Sequence, residues 1–156
     1  MLVHNYGLLW KEADGDWQGK TLWGHYAQDQ SYETNFAAQR GIYALYDPQF
    51  KPVYIGQAGK GADCLFNRIE AHRWDRLRGR WTTFSWFGVC PLVEDAPGSE
   101  TWVVDTSAAI ETNVASTLNH LEAVLIAVAE PALNLQRGRF GEGVYHYNQT
   151  ALSDFE

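Results

Sequence analysis

Two short runs of strand-forming residues, Gly41–Tyr46 (Gly-Ile-Tyr-Ala-Leu-Tyr) and Pro52–Gly56 (Pro-Val-Tyr-Ile-Gly), flank an Asp47-Pro48 turn signal. β-branched and aromatic side chains suit a pleated, half-buried surface, and Asp-Pro suits a reversal. Together they predict an antiparallel hairpin, which commits the middle of the chain to a sheet. Thr83–Leu92 reads as a third strand ended by Pro91, Glu100–Asp105 as an edge strand, and Val144–Tyr147 as a short strand.

Two helices are expected between these strands. One runs over about residues 62–78, with Leu65, Phe66, Ile69 and Leu77 near one stripe and Gly79 as its stop. The other runs over about 107–129, where Val114, Leu118, Leu121, Leu125 and Val128 recur at helical spacing before Pro131. The pattern predicts an α/β (α+β) fold: a small central, mostly antiparallel sheet of three or more strands, flanked by helices. With 156 residues, 46% of them hydrophobic, the chain is long enough for one domain with a real core. Its expected layout is a core over 41–135, an N-terminal extension over 1–40 packed on it, and a tail over 136–156. In the extension, residues 2–10 read as a strand and the rest as loops; Trp10, Trp17 and Trp23 need cover there.

Cys64 and Cys90 form no C-x-x-C pair and read as free thiols in a reducing compartment. No apolar signal core and no run of about 20 apolar residues is present, so a cytoplasmic protein without a membrane partner is expected. The net charge of −7 argues against a life on non-specific phosphate attraction. The charge is uneven, however. Residues 60–80 carry six basic and three acidic side chains, whereas residues 94–111 carry five acidic ones and no Lys or Arg. A local basic face on an acidic body can still meet nucleic acid.

At Gly41-Ile42-Tyr43 and Tyr54-Ile55-Gly56, on paired strands, the chain resembles the GIY-YIG nuclease superfamily. The resemblance continues with Arg68 and His72, at i and i+4 on the next helix, then with Glu122 on a later helix and Asn134 after it. It spans about residues 41–134. What it implies is a metal-dependent endonuclease acting on phosphodiester bonds in DNA, with RNA left open. Its catalytic residues would be Tyr43, Tyr54, Arg68, His72 and Glu122, with Gly56 and Asn134 in support. Independently, Glu122 borders apolar Leu118, Leu121, Leu125 and Ile126, and a carboxylate so placed calls for a cation.

The implied chemistry assigns each residue a task. Glu122 as sole protein ligand suits Mg²⁺ or Mn²⁺, hard ions that keep most of their waters. Arg68 grips a non-bridging phosphate oxygen with its planar fork. Tyr43 is the general base for the attacking water, with its high pKa lowered by Arg68 and the metal, and His72 takes up its proton. Tyr54 fixes the water or phosphate by hydrogen bonding. Lys60, Arg73 and Arg76 are expected as further phosphate contacts.

Two competing readings carry less. A catalytically weak nucleic-acid- or protein-binding module on the same fold would suit the acidic balance, but every catalytic position holds its expected residue type. An unrelated metallohydrolase would draw on His4, His25, His72, His120 or His146, and these show no H-x-x-x-H or H-E-x-x-H spacing. No added basic domain is visible to choose a target, which leaves weak intrinsic specificity, a homodimer or a protein partner as the options for target selection.

Overall fold

The computed structural model describes residues 1–59, 63–110, 114–129 and 140–155. Its strands are β1 (Asn5–Lys11), β2 (Trp23–Tyr26), β3 (Asp29–Asn35), β4 (Gly41–Tyr46), β5 (Pro52–Ala58), β6 (Thr83–Gly88), β7 (Leu92–Glu94), β8 (Trp102–Val104) and β9 (Tyr145–Gln149). Two α-helices accompany them, α1 (Leu65–His72) and α2 (Val114–Ala129). Seven strands form one mixed sheet in the order β3-β2-β9-β1-β6-β4-β5, and β7 and β8 form a separate hairpin. Only the β1–β9 pair is parallel among the described strands of the large sheet.

The α+β class agrees with expectation, but the sheet is larger than the small one expected. The difference lies in residues 1–40 and 145–149. β1, β2 and β3 all join the sheet, and β9 threads between β1 and β2. Trp10 fixes this arrangement: its ring is buried, and its indole N–H donates to the Tyr147 carbonyl at 3.1 Å. The expected strand over 100–105 is β8, and it pairs with β7 outside the main sheet.

Side chains alternate between the two faces of the sheet, and each face packs one helix. Tyr43 and Leu45 of β4 and Phe84 and Trp86 of β6 lie with Leu65, Phe66 and Ile69 of α1. Ala44, Tyr46 and Phe87 lie on the other face with Ala123, Val124 and Val128 of α2. The buried stripe of α2 differs from the expected one. His120, Ala123, Val124 and Val128 are buried, whereas Leu121 and Leu125 are 39% and 63% exposed. The helix is apolar nearly all round, so periodicity alone did not select its buried face. His120 tolerates burial because its Nδ1 accepts the Val3 backbone N–H at 2.8 Å.

Among the described residues, no helix is long and apolar enough to cross a membrane.

Candidate active site

The hairpin that opens the site is built locally. Asp47 Oδ1 accepts the backbone N–H groups of Gln49 and Lys51, both at 2.9 Å, so the carboxylate ties the turn together. In the resulting register Tyr43 faces Gly56 directly. A Cβ at Gly56 would collide with the Tyr43 hydroxyl, so the glycine is what lets the phenol lie over β5. Gly41, the other motif glycine, has φ +154°, and a Cβ there would run into the Phe87 carbonyl.

Helix α1 is anchored to the strand it serves. The Leu65 N–H donates to the Gln39 carbonyl at 2.8 Å and the Phe66 N–H to the Ala37 carbonyl at 3.1 Å. Two of the orphan donors of the first helical turn are thereby satisfied by the segment leading into β4. At the other end the Trp81 indole N–H donates to the His72 carbonyl at 3.1 Å. Both ends of the helix are held, and the spacing of four brings Arg68 and His72 to the same side.

The hydroxyl of Tyr43 lies 2.8 Å from His72 Nε2, and His72 Nδ1 lies 2.8 Å from Asp75 Oδ2. Asp75 Oδ1 accepts the Leu77 N–H at 2.8 Å, so both carboxylate oxygens are engaged. The Tyr54 ring stands 4.7 Å from the imidazole, centroid to centroid, and 6.2 Å from the Tyr43 ring. Arg68 also reaches the Tyr43 hydroxyl, as hydrogen-bond partner and as charge. Its Nε lies 3.6 Å from Asp63 Oδ2, within ion-pair range but without a hydrogen bond. Beside this group an open cleft of about 510 Å³ is lined by Ile42, Tyr54, Ile55, Gly56, Gln57 and Arg68.

Burial raises the pKa of Tyr43 and outweighs Arg68, whose hydrogen bond and charge both act to lower it. Arg68 acts in the expected direction, but among the protein's own groups desolvation wins. Tyr43 holds its proton at neutral pH and needs an acceptor to release it. For Asp75, burial acts to raise the pKa, but the Leu77 N–H, the His72 hydrogen bond and the charges of His72 and Arg76 hold the carboxyl below its ordinary value.

The structure thus brings Tyr43, Tyr54, Gly56, Arg68 and His72 together. Asp75 belongs with them and was missed by sequence reasoning, although His72 and Asp75 at i and i+3 are a readable ion-pair spacing. Glu122 lies in α2, whose buried residues pack on the face of the sheet opposite Tyr43. Its side chain is outside what the structure describes, and Lys60 and Asn134 lie outside the described residues.

Arg73, expected at phosphate, is otherwise engaged: its Nε donates to Glu12 Oε1 at 3.1 Å and its guanidinium lies 4.7 Å from the Trp17 ring centroid. Arg76 is exposed and adds positive charge near Asp75.

The carboxylates described beside the site are Asp63, paired with Arg68, and Asp75, bound to His72. Among the described residues no three His, Cys, Asp or Glu side chains converge as metal ligands.

No family model matches the chain, and neither a curated protein nor a solved structure does.

Proposed function

We propose that the protein is an endonuclease of the GIY-YIG type that hydrolyses phosphodiester bonds in DNA, with Tyr43, His72 and Arg68 at its reacting centre. The observation that carries the reading is the 2.8 Å contact between the Tyr43 hydroxyl and His72 Nε2, with the Arg68 guanidinium beside the same oxygen. A buried phenol of raised pKa next to an imidazole is arranged for proton transfer, and a guanidinium that lines the cleft is arranged for an oxyanion.

In this reading a phosphate enters the cleft over β5 and meets the Arg68 guanidinium that lines it, whose planar fork then grips a non-bridging oxygen. As the water oxygen bonds to phosphorus, a water proton passes to the Tyr43 oxygen and the phenol proton passes to His72 Nε2. The bond from phosphorus to the leaving oxygen breaks, and that oxygen takes a proton from solvent. The imidazolium returns its proton to Tyr43, which releases one to water, and the starting state is restored. Tyr54, whose ring covers the imidazole and lines the cleft, orients the water or the phosphate. Arg68 stabilises the charge that grows on phosphorus oxygens, the kind of term that is usually largest in such reactions. Glu122 would hold the divalent ion of the family, Mg²⁺ or Mn²⁺, from α2, which packs on the sheet face opposite Tyr43.

Nicking of supercoiled plasmid with Mg²⁺ or Mn²⁺ tests the reading, with Tyr43→Phe, Arg68→Ala and Glu122→Ala beside the wild type. Loss of cleavage in these variants, with folding retained, supports it. Wild-type cleavage in all three overturns the site assignment. Linear, branched and single-stranded DNA, and RNA, complete the substrate set.

One observation favours a second reading, a nucleic-acid-binding module with weak or no catalysis: α2 packs on the face away from Tyr43. Metal-independent binding without cleavage in the same assay would select that reading.

A further inference from the structure

We infer that Asp75 is a positioning residue that fixes the tautomer of His72, so that the neutral ring always presents Nε2 as a proton acceptor to Tyr43. The inference rests on the reading of Tyr43 as the group that handles the proton of the attacking water.

The hydrogen-bond inventory forces the tautomer. An ionised carboxylate only accepts, so the 2.8 Å contact between Asp75 Oδ2 and His72 Nδ1 requires the proton on Nδ1. A neutral imidazole with its proton on Nδ1 has a bare Nε2, and the hydroxyl 2.8 Å away must then be the donor. Asp75 is itself ionised and held: its pKa is lowered, and the Leu77 N–H fixes Oδ1 at 2.8 Å.

The ring has little freedom to escape this arrangement. His72 is 3% exposed, Tyr54 lies against it, and the Trp81 indole holds its carbonyl. The groups that face it are Tyr43 from β4, Tyr54 from β5 and Asp75 from the turn after α1. Of these Asp75 alone is an anion, and so it alone also pairs with the imidazolium that forms when Tyr43 gives up its proton. Without it the ring can place its proton on Nε2, where it would donate to the phenol oxygen and block the transfer.

The decisive experiment is long-range ¹H–¹⁵N NMR of the full chain, uniformly labelled, which reads the proton on each ring nitrogen directly. The protein has five histidines, so the His72 signals are assigned by their loss in His72→Gln. The wild type is expected to show His72 protonated on Nδ1 and bare on Nε2. Asp75→Asn, whose amide can donate to Nδ1, is expected to shift the ring to the Nε2–H form and to slow cleavage by about 10²–10⁴-fold. Asp75→Glu, which keeps a carboxylate, is expected to retain the wild-type tautomer and to recover part of the rate.

A wild-type ring protonated on Nε2 overturns the inference without any variant, as does an unchanged tautomer in folded Asp75→Asn. If Asp75→Asn fails to fold, the wild-type tautomer decides. Absence of cleavage by the wild type on every substrate would instead overturn the nuclease reading and leave the tautomer result standing on its own.

Discussion

Gly56 stands directly across the β4–β5 ladder from Tyr43, and the space of its missing Cβ is taken by the Tyr43 hydroxyl. The two motifs are therefore one steric unit, in which one strand supplies the phenol and the other the room for it. Gly56→Ala is expected to push the phenol away from His72. Overpacking of this kind costs about 1–3 kcal/mol. Urea denaturation reads the stability loss, and cleavage at temperatures where the variant is folded reads the loss of geometry. A Gly56→Ala protein as stable and active as the wild type would refute the relationship.

Arg68 presents its Nε to no hydrogen-bond partner, although Asp63 lies 3.6 Å away. Arg68→Ala is expected to slow cleavage by about 10²–10³-fold, the range for loss of one preorganised oxyanion donor. Arg68→Lys keeps the charge but not the fork and is expected to recover little of the rate. Asp63→Asn is expected to leave cleavage within a few fold of wild type. Full activity in Arg68→Lys would mean that charge alone suffices.

Dependence on a divalent ion divides the carboxylates. Asp63 and Asp75 are each engaged by a neighbouring side chain, and the proposed nuclease reading takes Glu122 as the ligand, although α2 packs on the sheet face opposite Tyr43. Chelation with EDTA is expected to stop cleavage, and Glu122→Gln to leave a residual rate that no longer responds to Mg²⁺ or Mn²⁺. An Mg²⁺ response that survives Glu122→Gln would move the ion elsewhere.

Tyr147 of β9 gives a pH dependence that is independent of the site. Burial, with smaller contributions from Tyr26 and Tyr145, pushes its pKa up to about 12, against an ordinary value of 10.0. The folded protein thus holds a proton that the unfolded chain releases. This stabilisation is complete below pH 10.0 and is lost as pH rises towards about 12. At 1.36 kcal/mol per unit the loss is about 2.7 kcal/mol or less. Urea midpoints measured across this window are expected to fall, and Tyr147→Phe to flatten the fall. An equal fall in the variant would remove Tyr147 as its cause.

The hairpin and the position of the first helix were legible because their signals are local, although α1 ends at His72 and not near residue 78 as expected. Asp47-Pro48 builds its own turn, the Arg68–His72 spacing needs only a helix, and the glycines meet steric demands inside the hairpin. β2 and β3 were not legible. Trp-Gly-His-Tyr and Asp-Gln-Ser-Tyr-Glu-Thr-Asn show no apolar alternation, and they are strands because β9 supplies a partner more than a hundred residues later. The face of α2 was misread for a related reason: His120 goes inside, where the Val3 N–H waits for it, while Leu125 stays out. Asp75 was overlooked although its i+3 spacing from His72 was readable; what the folded turn adds is that the carboxylate, three residues past the end of α1, reaches back to the ring. Burial of Tyr43, the fact that reverses its pKa shift, is a property of the whole sheet and of no short window.

The parallel strand β9 also sets a clock. The β2–β3 hairpin is hydrogen-bonded to the rest of the large sheet through β9, so residues 23–35 lack their strand partner until residues 145–149 arrive. On a ribosome adding about 5–20 residues per second, the 109 intervening residues 36–144 impose a wait of roughly 5–20 s. During that interval the early hairpin lacks its strand partner and the Trp10 indole N–H its acceptor, and the nascent chain depends on being kept apart from its neighbours.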